Sequence, residues 1–213
     1  GRLAAGVAHE IGNPITGIAC LAQTIRDEFK SEELQELSGE IITQTNRTSK
    51  ILQSLVNFAH TGTNQKLYSK QKIAVSDCVA DTKTLISLDK KSTDIDYIFE
   101  TDPKAEILGD SQRLLQIFVN LINNARDASQ KGDKVITRTS AEGNTVKITI
   151  TDEGSGIPDH LQNRVFDPFF TTKEPGEGTG LGLSLVYSIV EDLNGNIDIC
   201  LLYTSDAADD TPC

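Results

Sequence analysis

The chain has 213 residues, no Met or Trp, 38% hydrophobic residues and a formal net charge of −11. That length gives room for one ordinary domain plus a helical appendage, and the acidity argues against a general nucleic-acid or anionic-membrane surface. No apolar run is long enough to cross a membrane and there is no signal peptide. Without an initiator Met the sequence reads as an excerpt of a longer protein, whose upstream part is free to carry either one. Cys20, Cys78, Cys200 and Cys213 form no C-x-x-C pair, so neither a zinc site nor a redox motif is indicated, and a reducing cytoplasm fits.

Leu3, Val7, Ile11, Ile15, Ile18, Ala22, Ile25 and Phe29 step by fours and threes. This predicts a helix over 1–29 with one buried stripe. His9 falls almost opposite that stripe, with Glu10 beside it and Asn13 one turn along. An acid next to an outward imidazole can handle a proton, although a surface His–Glu pair is ordinarily only a solvated helix face. The zinc-protease pattern H-E-x-x-H fails, because Asn13 stands where the second histidine belongs. Pro14 inside the pattern removes a backbone bond and should bend the helix, at about 3 kcal/mol. Gly12 weakens it by about 1 kcal/mol more.

Ser31, followed by Glu32 and Glu33, reads as a capped restart. A second helix is expected over 32–59, with Leu34, Leu37, Ile41, Thr45, Thr48, Leu52, Leu55 and Ala59 as its stripe. Two such helices joined by a short loop form an antiparallel hairpin that cannot bury both stripes alone. Pairing two hairpins into a four-helix bundle solves that, so the pattern predicts a homodimer. The polar stretch from His60 to Lys70 reads as a linker, with His60 solvated.

Beyond it, strands and helices alternate. Ile73 and Val75 suggest a strand, and Ser76 a cap for a helix over 77–89. Ile95, Tyr97 and Phe99 alternate as in a half-buried strand. Glu106–Leu108 is a strand candidate, and Asp110 can cap a helix to Ser129. Residues 135–139 and 146–150 flank Glu142-Gly143-Asn144 as a hairpin. A glycine-rich segment after Asp152, a long loop, a helix over 180–193, the Asn194-Gly195-Asn196 turn and a strand start at Ile197–Ile199 complete the pattern. Helices on one face of a mixed sheet make an α+β sandwich. Residues 200–213 resemble translated sequencing-adaptor read-through and are taken as a non-native tail.

The helix over 111–129 should bury Leu114, Phe118, Leu121, Ile122 and Ala125, with Arg113, Asn120, Asn124 and Asp127 opposite. A solvated face normally carries better helix formers than Asn. Asn120 and Asn124, four apart, project side by side, and an amide oxygen can ligate Mg²⁺ beside phosphate oxygens without adding charge. An ordinary polar face is the plainer alternative. Asp152-Glu153-Gly154-Ser155-Gly156-Ile157-Pro158 follows directly on a strand. Glycines there let backbone approach a flat ligand, and the Asp152 carboxylate can accept from a ligand amino group. A Gly-Pro turn would not require the acid. Gly178-Thr179-Gly180-Leu181-Gly182 opens the last helix, where exposed N–H groups and the helix dipole suit a phosphate. It matches neither the P-loop nor the dinucleotide fingerprint. Between the two glycine boxes, Arg164 to Glu177 with Phe166, Phe169, Phe170 and Lys173 reads as a mobile lid. His160 is incidental.

The order and spacing of these motifs are more specific than any one of them. Across residues 1–199 the chain resembles the sensor histidine kinases of two-component signalling. His9-Glu10-x-x-Asn13-Pro14 is similar to the phosphoacceptor box and Asn120-x-x-x-Asn124-Ala125 to the asparagine box. Asp152-x-Gly154-x-Gly156 resembles the first glycine box, Phe166-x-Pro168-Phe169 the phenylalanine box and Gly178-x-Gly180-x-Gly182 the second glycine box. The form of the first two boxes resembles the nitrogen-regulation-like branch. The resemblance implies a dimerisation and phosphotransfer hairpin over 1–60, a linker over 61–70, and over 71–199 an ATP-binding domain of the gyrase, heat-shock-chaperone and histidine-kinase type. It implies an ATP- and Mg²⁺-dependent kinase that autophosphorylates on His9 and passes the group to an aspartate of a response regulator. Glu10 would take the imidazole proton. Asn13 would orient water for dephosphorylation of the regulator. Asp152 would read adenine, with Gly154 and Gly156 beside it. Asn124 would ligate Mg²⁺ next to Asn120. Gly178, Thr179, Gly180, Leu181, Gly182 and Lys173 would hold the phosphates. Asp127 stands where many members carry a base, which shifts phosphate contacts toward Arg126, Lys173 or Arg164. The resemblance further implies a homodimer in the cytoplasm, no nucleic-acid partner, a membrane reached only through an N-terminal sensor region, and sheet strands beyond Ile199 that this chain would lack.

Overall fold

The structure is a computed structural model. It describes residues 2–61, 71–89, 94–174 and 178–200; within the first stretch, side chains are described for 11–49, 51 and 52. The chain divides into two compact units, Gly1–Leu67 with Phe166–Ser188, and Tyr68–Val165 with Ile189–Cys213.

In the first unit, α1 (Arg2–Glu28) and α2 (Glu32–Thr61) pack as a hairpin. Helix α2 starts as expected after Ser31, whose carbonyl accepts from the Gln35 N–H at 3.0 Å. It runs to Thr61, so His60 lies in the helix and not in a linker. The seam between the helices is made of small residues, with Ala22, Ser38 and Thr45 buried. The buried hydroxyls bond back to their own helix, Ser38 to the Gln35 carbonyl and Thr45 to those of Ile41 and Ile42. The larger members of both stripes stay open: Ile18 is 47% exposed, Phe29 51% and Leu37 49%. A two-helix layer has only one inner surface, which is why the hairpin leaves these side chains uncovered.

The second unit is an α+β assembly. Strand β1 (Gln71–Ala74) pairs antiparallel with β3 (Glu106–Gly109), while β2 (Asp96–Glu100), β4 (Lys134–Glu142) and β5 (Thr145–Asp152) form a mixed sheet in the order β2-β4-β5. Strand β2 runs parallel to β4, and β5 antiparallel to it. The β4–β5 connection is two residues long and Gly143 has φ +63°, the geometry that puts glycine first in a primed hairpin turn. On β4 the inward row Val135, Thr137 and Thr139 is buried. Helices α3 (Val75–Leu88) and α4 (Ser111–Ala128) pack together, and α4 lies against β4 and β5. Their core includes Val75, Cys78, Val79, Leu114, Ile117, Phe118, Ile122 and Ala125. Asp102 ties the turn after β2 to β4. Its carboxylate accepts from the Ala141 and Lys104 N–H groups, and these bonds hold its pKa below the usual range.

Four expectations are corrected. Ser76 does not cap α3: the helix starts at buried Val75, whose N–H bonds to the Ala105 carbonyl, and Ala74 in the cap position offers no side-chain bond. Arg113 is not on an open polar face but buried, paired with Asp192. The last helix, α6 (Gly182–Asp192), begins two residues later than expected, because Gly180 has φ +65°. Residues 197–199 form no strand, and an extended segment becomes a strand only when a neighbour completes its ladder. The Asn194-Gly195 turn is the end of α6 itself. Asn194 has φ +57°, its N–H bonds to the Glu191 carbonyl, and the Gly195 N–H bonds to that of Val190, the pattern of a Schellman cap. The short helix α5 (Asp159–Gln162) sits inside the loop after β5.

Candidate active site

The expected site residues fall on three pieces of structure. His9 and Glu10 lie in α1, and their side chains fall outside those described. Asn13 and Pro14 are exposed on the same helix, which continues unbroken through Pro14. Proline leaves the Glu10 carbonyl without its helical donor. Two residues on, the Thr16 hydroxyl donates to the Gly12 carbonyl at 2.9 Å.

The second piece is the far end of α4 with the loop after β5. Asp110 caps α4 as expected, its carboxylate accepting from the Gln112 and Arg113 N–H groups. Such a cap satisfies donors that the first turn otherwise leaves open. Asn120 and Asn124 are half-buried. The Asn120 amide donates to the Gln116 carbonyl at 2.8 Å, so its N–H is committed to the helix. The Asn124 side chain makes no hydrogen bond among the described residues. Its amide oxygen therefore remains an acceptor that fits a hard cation, which prefers neutral or anionic oxygen ligands. No cluster of three or more His, Cys, Asp or Glu suited to a metal exists among the described residues, so a cation here would draw its other ligands from a bound phosphate or water.

Asp127 and Arg126 are occupied with each other. Arg126 Nη2 lies 2.8 Å from Asp127 Oδ1, and Nη1 2.8 Å from Asp89 Oδ2 at the end of α3. Burial works against the guanidinium charge, but the Asp127 bond and the two carboxylates raise its pKa overall. The expectation that Arg126 faces phosphates thus meets an arginine engaged by two acids. The loop after β5 folds over the end of α4. The Gly154 N–H bonds to Asp152 Oδ1 at 3.0 Å, and the Ser155 N–H to the Ala128 carbonyl at 3.2 Å. A Cβ on Gly154 would stand 2.6 Å from that carbonyl oxygen and 2.9 Å from the Ala128 Cβ. Gly154 is thus required by the helix behind it, a reason the sequence did not disclose. Gly156 has φ +68° and is exposed, as is Asp152.

The third piece is the segment from Phe166 to Lys173 and the second glycine box, which pack on each other. The Phe166 ring meets Tyr187 of α6 at 5.5 Å between centroids, tilted 45°. Phe169 is exposed and adopts φ +67°, a left-handed conformation that costs a non-glycine residue energy. Gly180 lies against its backbone: a Cβ there would stand 2.6 Å from the Phe169 oxygen. Gly178 lies against the Thr171 hydroxyl and half-buried Lys173. The Thr179 hydroxyl accepts from the Leu181 N–H at 3.4 Å, Leu181 is buried, and α6 starts at Gly182. Residues 175–177 fall outside those described. Neither the Arg113–Asp192 and Asp89–Arg126 pairs nor the Phe166–Tyr187 contact was anticipated, since each joins elements far apart in the chain. No helix among the described residues is long and apolar enough to cross a membrane.

Known proteins share this arrangement. Residues 1–64 match the His Kinase A (phospho-acceptor) domain, and residues 109–211 the Histidine kinase-, DNA gyrase B-, and HSP90-like ATPase family. The chain is 34% identical over 204 residues to sporulation kinase A of Bacillus subtilis (strain 168), covering 93% of this chain and 32% of that protein. The catalytic domain of histidine kinase ThkA is 30% identical, with a TM-score of 0.53 over 58% of this chain and 80% of that one. ThkA in complex with response regulator protein TrrA is 26% identical, with a TM-score of 0.62 over 92% of this chain and 55% of that one. The chain spans less than half the length of the curated relatives it matches, 32% of one and 42% of another. With a phospho-acceptor hairpin followed by this ATPase domain, and with most of a histidine kinase catalytic domain covered at 30% identity, the chain belongs to the histidine kinases.

Proposed function

We propose that this chain is the transmitter part of an ATP-dependent protein-histidine kinase. It transfers the γ-phosphoryl group of ATP to His9 and then to an aspartate of a response regulator. The observation that carries this reading is the presence, in one chain, of His9 inside the phospho-acceptor match and of both asparagines and both glycine boxes inside the ATPase match. In the transfer, a lone pair on the His9 imidazole forms the new N–P bond, the bond from the γ-phosphorus to the bridging oxygen breaks, and ADP leaves with that electron pair. Glu10 accepts the proton from the other ring nitrogen, which raises the nucleophilicity of the ring. Little covalent help is needed beyond alignment and charge neutralisation. Asp152 accepts from the adenine amino group, with Gly154 and Gly156 giving close backbone approach. Asn124, with Asn120 beside it, holds Mg²⁺, which neutralises phosphate charge when bound. Gly178, Thr179, Gly180, Leu181, Gly182 and Lys173 hold the phosphates. Asp127 stands beside the phosphate-facing end of the site, paired with Arg126.

An amide at Asn120 cannot serve as a general base toward water, so the bound ATP is retained for the histidine. Asn13 orients water when the same hairpin dephosphorylates the regulator, in the manner of a nitrogen-regulation-like branch. The uncovered stripes of α1 and α2 support a homodimer in which two hairpins form a four-helix bundle. The functional division runs 1–60 for dimerisation and phosphotransfer, 61–70 as linker and 71–199 for ATP binding, with 200–213 as a non-native tail. The chain acts in the cytoplasm and reaches a membrane only through a sensor region of its parent.

Incubation with γ-labelled ATP and Mg²⁺ tests the reading. The expected label is acid-labile, base-stable and absent from His9→Gln. Label retained in that variant sinks the assignment, and nucleotide binding without any label would make the chain a non-catalytic nucleotide-binding module.

A further inference from the structure

Strand β5 is an edge of its sheet: among the described residues it pairs with β4 alone. The bonds around β4 fix which of its groups face outward. The Asp102 N–H bonds to the Thr139 carbonyl and the Ala141 N–H to the Asp102 carboxylate, so odd-numbered residues of β4 face the β2 side. Arg138, Ser140 and Glu142 therefore face β5, opposite Thr149, Lys147 and Thr145. That leaves Val146, Ile148 and Ile150 to turn their N–H and C=O groups to the open edge. Their side chains share the inner face with the buried Thr137 and Thr139 of β4, yet are themselves only half-buried. Most devices that discourage strand addition are missing here. From Thr145 to Thr151 the strand has no Pro, no Gly and no break in its register, and every residue but Lys147 is β-branched. The other edge strand, β2, is shorter and carries Asp96 and Glu100.

We propose that this edge is a self-association surface, on which β5 of a second copy of the chain adds antiparallel about a two-fold axis at Ile148. The register follows from the side chains. Centred on Ile148, Val146 lies opposite the partner's Ile150, Lys147 opposite the partner's Thr149, and Thr145 opposite the partner's Thr151. Pairs of β-branched residues and of threonines favour a sheet, and no like charges meet. Centring one residue earlier would oppose the two copies of Lys147, and one residue later would set Val146 against the partner's Asp152. The Ile148 register forms about six main-chain hydrogen bonds between the copies. It continues the half-buried inner row into its own copy, and it closes on itself as an isologous two-fold contact. The product is one sheet in the order β2-β4-β5-β5-β4-β2. This surface lies on a different element from the hairpins of the proposed dimer and does not depend on the nucleotide reading.

Sedimentation velocity over a concentration series, on the whole chain, tests this. Pairing of hairpins is common to every variant, so differences between variants report the strand edge. Ile148→Pro removes a donor that faces the edge and leaves the bonds to β4 whole, the setting in which a strand tolerates proline; it should weaken the further association by about tenfold or more. Thr149→Lys sets a lysine against the partner's Lys147 on both sides of the axis and should weaken it about fivefold. Adding Lys147→Glu to Thr149→Lys turns each repulsion into an attraction and should restore the parent value to within about threefold. A parent that associates no more strongly than Ile148→Pro overturns the proposal, whether the edge stays bare or the chain's own residues beyond α6 cover it. If Ile148→Pro does not fold, the charge series decides: equal association of Thr149→Lys and the parent overturns it as well.

Discussion

Three glycines separate two physical costs that a glycine-to-alanine change can carry. Gly143 has φ +63° and nothing within 4 Å of an added Cβ. Replacing it by Ala isolates the left-handed backbone term, about 1–2 kcal/mol. Gly154 has no such φ, but its Cβ would stand 2.6 Å from the Ala128 oxygen and 2.9 Å from the Ala128 Cβ. Neither atom is the end of a flexible side chain, so Gly154→Ala isolates overpacking, about 1–3 kcal/mol. Gly180 combines φ +65° with a Cβ 2.6 Å from the Phe169 oxygen. Its substitution should cost the sum, roughly 2–5 kcal/mol. Phe169 already sits at φ +67°, so it has little room to yield. Urea unfolding of the three variants gives the stabilities, and titration with a non-hydrolysable ATP analogue gives the affinities. Gly143→Ala should bind like the parent, whereas Gly180→Ala should lose at least tenfold because the second glycine box can no longer pack on the Phe169 backbone. The reasoning is refuted if Gly180→Ala is no more destabilising than Gly143→Ala, or if its nucleotide affinity is unchanged.

Two further outcomes follow from the second unit. Asp110→Ala removes the acceptor for two N–H groups at the start of α4; it should lower stability by about 0.5–2 kcal/mol, with an unchanged urea slope checking that only the fold's stability has moved. Burial, aided by Asp81, Asp77 and Asp110, pushes the Cys78 thiol up from 9.0 to about 11. The neutral thiol is therefore favoured in the fold: its contribution is whole below pH 9 and is lost as pH climbs from about 9 to 11, by roughly 2–3 kcal/mol. The difference in urea midpoint between the parent and Cys78→Ala, followed over that range, reports it. At pH 8 a thiol reagent should leave Cys78 unmodified until the protein unfolds.

The sequence by itself determined most of the element order, because this is a local property. The three- and four-residue steps of α1 and α2, the Asp110 cap, the Gly143 turn and the alternation of β4 and β5 each depend on residues within a turn or a strand pair of one another. The residues of the boxes around His9, Asn124, Asp152 and Gly180 likewise lie close together in the chain. Position in the fold decided the rest. Arg113 looked solvated by helical phase, yet the end of α6, 79 residues away, supplies the carboxylate that lets it be buried. Ser76 looked like a cap until the Ala105 carbonyl took the first donor of α3. The glycine at 154 is demanded by Ala128 as well as by any ligand; the glycine at 180 lies against Phe169. Ile197–Ile199 had the pattern of a strand but pair with no strand among the described residues. In the first four of these cases the deciding partner lies outside the residue's own element. Burial, ion pairing and steric exclusion depend on distance in space, which only the folded structure sets.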